Sequence, residues 1–138
     1  MTIIKTLDIP STPDELTKVD EVAERVAEEM SFSKDEKDDI AISVSEAVNN
    51  AIMHGNLANP KKMVHITFIR ERDSLIVKVR DEGNGFNPDD LPDPTSPENL
   101  LRLKGRGIFI IRQLMDEVTH RKTNEGMEVT LVKKKNAG

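Results

Sequence analysis

The chain contains no cysteine, tryptophan or tyrosine, and its only aromatic residues are four phenylalanines. The lack of cysteine excludes disulfides, thiolate catalysis and cysteine-bound zinc, and it fits a reducing compartment. Because aromatic residues are scarce, the core must be built from Ile, Val, Leu, Met and Ala. No run approaches the roughly 18 to 20 apolar residues that a membrane span requires, and the first residues do not resemble a signal peptide. We therefore expect a cytoplasmic protein that does not enter the membrane.

The charge balance also limits the possible partners. Of the 138 residues, 36% are hydrophobic and 33% are charged, and the net charge is −5. The length predicts a single domain over residues 1–138. A negative protein is a poor ligand for phosphate backbones, so we expect no direct contact with nucleic acid. The basic run Lys133–Lys135 is the exception, and we interpret it as part of a solvated tail.

Two capping sequences predict the first two helices. Thr12-Pro-Asp-Glu15 combines an N-cap threonine, a proline at the first helical position and the glutamate of a capping box. Apolar residues at helical spacing extend this helix over residues 13–29. Ser33-Lys-Asp-Glu36 is a second capping box, and it opens a longer helix that ends near Gly55.

Alternating apolar residues predict the strands. Residues 3–9 form the first strand. Residues 64–68 and 75–79 form a hairpin, and residues 117–120 and 127–131 form another.

The segment between the two hairpins has a different character. Residues 86–104 contain four prolines and are interpreted as a long loop or mobile lid, since loops of this length are usually functional or disordered. An apolar helix is predicted over residues 108–115. The order of elements predicts an α+β fold: a two-layer sandwich with helices on one face of a mixed β-sheet.

The second helix carries a candidate catalytic pair, Glu46 and Asn50. Residues four apart on a helix project from the same side. An amide oxygen is a suitable ligand for Mg²⁺, and a nearby carboxylate can orient or deprotonate an attacking hydroxyl. Asn49 has the same chemistry but is turned further around the helix. Taken alone, the pair is more typical of a solvated helix face, since this spacing is common in helices.

The second candidate segment follows the strand that ends near residue 80, and it contains Asp81, Gly83 and Gly85. A carboxylate accepts hydrogen bonds only, so it can bind the amine of adenine and reject the carbonyl of guanine. The glycines allow the backbone to approach a flat ring. Taken alone, the segment is also typical of an ordinary turn at the end of a strand.

The third candidate segment, Gly105-Arg106-Gly107, stands just before the apolar helix. Backbone N–H groups at a helix start attract phosphate, and Arg106 can add a positive charge. A flexible hinge at the end of the lid is the alternative. Three weak motifs in one order, each on the type of element that it needs, are much less frequent by chance than any one of them.

Together these segments make the chain resemble the GHKL ATPases, the superfamily of gyrase, Hsp90, histidine kinases and MutL, which has the Bergerat fold. Residues 46–55 resemble its N box, residues 81–85 its G1 box and residues 105–107 its G2 box. Within the superfamily, residues 46–55 and 107–116 are most similar to the bacterial anti-sigma factor serine/threonine-protein kinases.

The resemblance implies roles for individual residues. Glu46 matches the general base, Asn50 the magnesium ligand and Asp81 the residue that binds the adenine amine. The adenine-side glycines match Gly83 and Gly85, and the phosphate-side glycines match Gly105 and Gly107. Arg106 occupies a variable position, so its expected contact with the nucleotide rests on its charge alone.

The resemblance also implies ATP and Mg²⁺ as cofactors, a sigma factor and an anti-anti-sigma (STAS-type) protein as partners, and a homodimer. The predicted first helix lacks the phosphoacceptor histidine of a histidine kinase, which favours the serine/threonine kinases. Two alternatives remain. One is a module that binds ATP and sequesters a partner without phosphoryl transfer. The other is an accessory ATPase or sensor domain unrelated to sigma factors.

Overall fold

The computed structural model describes residues 1–83 and 107–135 of the chain. These residues form an antiparallel sheet with helices packed against it. The strands are β1 (Thr2–Pro10), β2 (Met63–Glu71), β3 (Ser74–Arg80), β4 (Glu117–Lys122) and β5 (Met127–Lys134). The helices are α1 (Leu16–Glu29), which follows a 3-10 turn at Pro13–Glu15, α2 (Lys34–Asn50), which continues into a π-helical turn at Ala51–Gly55, and α3 (residues 107–114). The predicted lid over residues 86–104 lies outside the described residues.

The strands are arranged in the order β1-β2-β3-β5-β4, and every neighbouring pair is antiparallel. The α+β class and both hairpins are confirmed, but the expectation of a mixed sheet was wrong. The sheet is antiparallel because β5, and not β4, is the strand of the second hairpin that pairs with β3. Because β5 runs opposite to β3 and pairs with it, β4, which runs in the same direction as β3, is kept at the edge.

The two predicted helix starts differ in detail. At α2, the Ser33 hydroxyl accepts from the Glu36 N–H at 3.2 Å, and the Glu36 carboxylate accepts from the Ser33 N–H at 2.8 Å, so this capping box is confirmed. The capping box predicted at Thr12 was wrong, because its side chain makes no capping bond. The Glu15 N–H instead bonds the Thr12 carbonyl at 3.1 Å, which closes the tighter turn before α1.

The apolar periodicity predicted from the sequence supplies the core. The sides of α1 and α2 that face the sheet meet the inward residues of β2, β3 and β5, and Ile111 of α3 and Met115 just after it complete the core. Fully buried residues include Val19, Ile40, Val44, Ile66, Phe68, Val77 and Leu131. Removing such side chains from water supplies the main driving force for folding.

The interpretation of Lys133–Lys135 as a solvated tail was wrong for its first two residues, which belong to β5. The Lys133 ammonium donates to the Leu114 carbonyl at 2.6 Å and to the Asp39 carboxylate at 3.0 Å. It thereby joins the end of α3 to α2, with a cation placed where the helix dipole favours one. Within the described ranges, no helix is long and apolar enough to cross a membrane.

Candidate active site

The first part of the candidate site lies where α2 meets the start of α3. Glu46 and Asn50 are both half-buried, and Gly107 is buried against them. A β-carbon at residue 107 would stand 2.8 Å from Asn50 Nδ2 and 3.1 Å from Glu46 Oε2. The side chains of Glu46 and Asn50 therefore converge on Gly107. A residue with a β-carbon at that position would push them aside.

The second part of the site is the carboxylate of Asp81, which directly follows β3. It is 6% exposed, and its Oδ1 accepts from the Gly83 N–H at 3.0 Å and the Met127 N–H at 3.1 Å. Two backbone donors fix this oxygen, so the orientation of the whole carboxylate is set. Among the described residues, no hydrogen bond reaches Oδ2, which lies against Gly55.

Backbone from three glycines encloses Asp81. A β-carbon on Gly55 would overlap Asp81 Oδ2, and one on Gly126 would overlap the Asp81 carbonyl. A β-carbon on Gly83 would overlap the Gly55 carbonyl. A residue with a β-carbon could not make such close contacts. The Asp81 carboxylate is therefore held between glycine backbone segments.

A pocket connects the two parts of the site. Its lining is mostly apolar and includes the polar side chains of Asn50 and Asp81. The lining residues are Ala47, Asn50, Ala51, His54, Gly55, Val79, Asp81, Ile108, Ile111, His120, Met127 and Val129. An apolar cleft with a few convergent polar groups is the usual form of a small-molecule site. A flat aromatic base suits its walls, and its amine suits the Asp81 oxygen.

Glu46 lies at the edge of a second, open groove between α1 and α2, which Asp20 and Ser45 also line. Burial raises the pKa of Asp20, and a hydrogen bond with Ser45 opposes that shift. Glu46 is therefore next to Asn50 and Gly107 on one side and can be reached from the α1–α2 groove on the other.

Several of the residues that form the site were not recognised in the sequence. Gly126 lies in the turn of the second hairpin, and Met127 is the first residue of β5. Both hold Asp81 through backbone contacts. Neither position has a local sequence signal, because the register between β3 and β5 creates these contacts. Asn56, which joins the end of α2 to the Asp81 turn, was also missed.

Three predicted residues, Gly85, Gly105 and Arg106, lie outside the described residues. The structure brings Glu46 and Asn50 together at Gly107, and a hydrogen bond joins Asp81 to Gly83. Asn50 and Asp81 both line the pocket.

The side chains present fit a magnesium–nucleotide complex. Mg²⁺ in such sites takes one or two protein oxygens together with phosphate oxygens and water, so a full set of protein ligands is not required. Asn50 Oδ1 and Glu46 Oε2 both face residue 107 and supply hard oxygen atoms. Within residues 1–83 and 107–135, no group of three or more acidic, histidine or cysteine side chains could hold a metal alone.

Comparison with known proteins supports the same interpretation. Residues 9–133 match the family described as the histidine kinase-like ATPase domain. The anti-sigma F factor of Anoxybacillus flavithermus is 40% identical over 104 residues, which are 72% of this chain and 70% of that protein. The serine-protein kinase RsbW of Bacillus licheniformis is 32% identical over 131 residues, which are 90% of this chain and 81% of that protein.

One solved structure is similar over nearly the whole chain. It contains the RsbU and RsbW domains of a Mycobacterium tuberculosis protein, with a TM-score of 0.69 and 18% identity over 96% of this chain and 33% of that chain. At this identity the likeness shows the fold alone. The family match and the two relatives carry the assignment further: the chain belongs to the histidine kinase-like ATPase domain family, as its resemblance to the GHKL ATPases implied.

Proposed function

We propose that this protein is an ATP-dependent serine/threonine kinase that acts as an anti-sigma factor. It would phosphorylate a hydroxyl of an anti-anti-sigma (STAS-type) protein, and it would otherwise hold a sigma factor. The names of its relatives, anti-sigma F factor and serine-protein kinase, support this assignment.

The observation that carries the proposal is the convergence of Glu46 and Asn50 on Gly107. A carboxylate that can deprotonate a hydroxyl and an amide oxygen that can bind Mg²⁺ both lie within about 3.3 Å of the place where a β-carbon on Gly107 would stand. Phosphoryl transfer depends mainly on positioning and charge stabilisation, and it needs these groups close together.

Asp81, which lines the pocket, favours an adenine nucleotide as the ligand. With Asp81 Oδ1 already bound by two N–H groups, Oδ2 is the atom that would accept from the exocyclic amine of adenine. Guanine presents a carbonyl at that edge, and two acceptors repel each other. Gly55 also lines the pocket, so its bare backbone can face a ring there.

The accessible side of Glu46 favours a kinase over a plain ATPase. A partner's hydroxyl can approach from the α1–α2 groove while the phosphates lie on the Asn50 side. Glu46 would orient that hydroxyl and take up its proton. The bond from the γ-phosphorus to the β-phosphate bridging oxygen breaks, a bond to the hydroxyl oxygen forms, and ADP leaves.

Asn50 would bind Mg²⁺, and the metal would neutralise negative charge on the phosphates. The buried backbone at Gly107, at the start of α3, would bring N–H groups toward phosphate oxygens. Catalysis would then rest on groups held in place by α2 and α3 before the substrate binds.

A phosphotransfer assay tests this proposal. The protein would be incubated with γ-labelled ATP, Mg²⁺ and the STAS-type protein encoded nearest to it. We expect label on a serine or threonine of that protein, and we expect Glu46→Gln to abolish most of the transfer. Asn49→Gln is the matched control, because Asn49 is a neighbour on α2 that has no assigned role.

Two results would count against the proposal. If the partner binds in the presence of ATP without acquiring label, the protein is a binding module that uses ATP as a ligand. If ATP is hydrolysed and no partner is labelled or bound, the accessory ATPase is the better assignment.

A further inference from the structure

Asn56 is a buried polar residue to which the proposed chemistry gives no role. It is 1% exposed and follows the π-helical turn at the end of α2. Its Nδ2 donates to Ser11 Oγ at 2.8 Å and to the Met63 carbonyl at 2.9 Å. Its Oδ1 accepts from the Glu82 N–H at 2.7 Å. One side chain thus connects α2 to the ends of β1, β2 and β3.

The partners of Asn56 determine the orientation of its amide. Ser11 Oγ donates to the Lys62 carbonyl at 2.6 Å, so it must accept from Asn56. The Met63 carbonyl can only accept, and the Glu82 N–H can only donate. A flipped amide would break all three bonds. A fully satisfied buried network of this kind makes one arrangement strongly preferred.

The Asn56–Glu82 bond lies directly beside the predicted base-binding residues. Gly55, which precedes Asn56, contacts the Asp81 carboxylate and lies against Gly83. The two short segments 55–56 and 81–83 therefore run side by side. The hydrogen bond from the Glu82 N–H to Asn56 Oδ1 links the two segments and fixes the distance between them.

The side chain of Glu82 is anchored separately. Its Oε1 accepts from the Met63 N–H at 3.0 Å, and its Oε2 is 2.7 Å from His65 Nε2. The Met63 bond, followed by the His65 bond, lowers the pKa of Glu82. The carboxylate thus holds the residue to β2, while Asn56 holds its backbone to α2.

We propose that Asn56 is a positioning residue for nucleotide recognition, which acts through the Glu82 N–H to hold Asp81 against the end of α2. Without this bond the 81–83 turn can move away from Gly55, and Asp81 Oδ2 no longer points consistently at the base. The inference rests on the proposed function, since it assigns Asp81 the adenine contact.

The test compares Asn56→Ala with Ser11→Ala by calorimetric titration of the full chain with ATP and GTP. Ser11→Ala removes one partner of Asn56 but leaves the Asn56–Glu82 bond, so it is the matched control. Both variants should unfold at lower temperature. Only Asn56→Ala should weaken ATP binding, by roughly five- to tenfold, the scale of one lost hydrogen bond. Its preference for ATP over GTP should fall.

Asn56→Asp separates positioning from simple burial. It keeps an acceptor for the Glu82 N–H but places an oxygen against the Met63 carbonyl, so its stability should fall. If Asn56 acts through Glu82, this variant still prefers ATP over GTP nearly as strongly as the wild type. Loss of most of the wild-type preference for ATP over GTP in Asn56→Asp would overturn the inference, and this comparison with wild type holds even if Asn56→Ala does not fold.

The outcomes also separate this inference from the function on which it rests. If Asp81→Asn binds ATP as the wild type does, the assignment of the base site is wrong. If Asp81→Asn loses ATP binding while Asn56→Ala and Ser11→Ala bind it equally well, only the role of Asn56 is wrong.

Discussion

Gly107 and Asn50 lie so close together that a β-carbon at residue 107 would fall 2.8 Å from Asn50 Nδ2. This proximity joins the first turn of α3 to a residue that lines the pocket. A movement of the start of α3 would therefore change the surroundings of the Asn50 side chain, which is proposed to bind Mg²⁺.

The first prediction concerns nucleotide choice. ATP and ADP should bind well and GTP poorly, because Asp81 offers an acceptor to the adenine amine. Asp81→Asn should weaken ATP binding by roughly 1.5–3 kcal/mol, the scale of a charged hydrogen bond. Titration calorimetry with each nucleotide measures this, and equal affinities of the wild type for ATP and GTP would contradict the assignment.

The second prediction separates binding from chemistry. Glu46→Gln should leave ATP affinity nearly unchanged and slow phosphoryl transfer by roughly 10²-fold or more, the usual contribution of a positioned base. Asn50→Ala should instead weaken binding when Mg²⁺ is present. Transfer at the wild-type rate by Glu46→Gln would show that Glu46 is not the base.

The third prediction contrasts two glycines. In Gly107→Ala the new methyl group meets the ends of Asn50 and Glu46, which can rotate away, so stability should fall little while transfer is lost. In Gly83→Ala it meets the backbone carbonyl of Gly55, which cannot move cheaply, so stability itself should fall. Thermal unfolding and transfer rates of both variants distinguish the two, and equal stability losses would contradict the contrast.

The fourth prediction concerns acid stability. The pKa of Glu82 lies below its ordinary value of 4.5, mainly because the Met63 N–H donates to it. A carboxyl with a lowered folded-state pKa stabilises the fold above its unfolded pKa, and this contribution disappears as the pH falls through the folded-state value. Stability should therefore fall below about pH 4.5. Urea unfolding from pH 6 to pH 3 should show a shallower loss in Glu82→Gln, but not in the exposed control Glu29→Gln.

The fifth prediction concerns the two helix starts. Ser33→Ala should lower the free energy of unfolding by about 1 kcal/mol, because its hydroxyl caps α2. Thr12→Ala should have a much smaller effect, since the Thr12 side chain makes no capping bond. Chemical denaturation of both variants provides the comparison, and similar losses would mean that Thr12 also stabilises its helix.

The sequence alone predicted the elements that depend on neighbours within one or two turns. The apolar periodicity of α1 and α2, the alternation in the hairpins and the Ser33 capping box are local features, and the structure contains each of them. Thr12 shows the limit of such signals. It has the same capping pattern as Ser33, but a backbone bond from Glu15 to Thr12 takes the place of the side-chain cap.

The sequence also named Glu46, Asn50, Asp81, Gly83 and Gly107, because their spacing and the resemblance to a known family point to one chemistry. Tertiary structure decided what surrounds them. Met127 reaches Asp81 across 46 positions, and Asn56 reaches Glu82 across 26. Such contacts depend on strand register and on where α2 ends.

The sheet order was decided in the same way. The alternation in β4 and β5 predicts a hairpin, but it does not indicate which arm pairs with β3. Packing places β5 beside β3, and this choice brings Gly126 and Met127 to Asp81. Local sequence thus determined the elements and the chemistry-bearing residues, whereas long-range pairing determined how Asp81 is held, because hydrogen bonds between distant segments form only once the register is set.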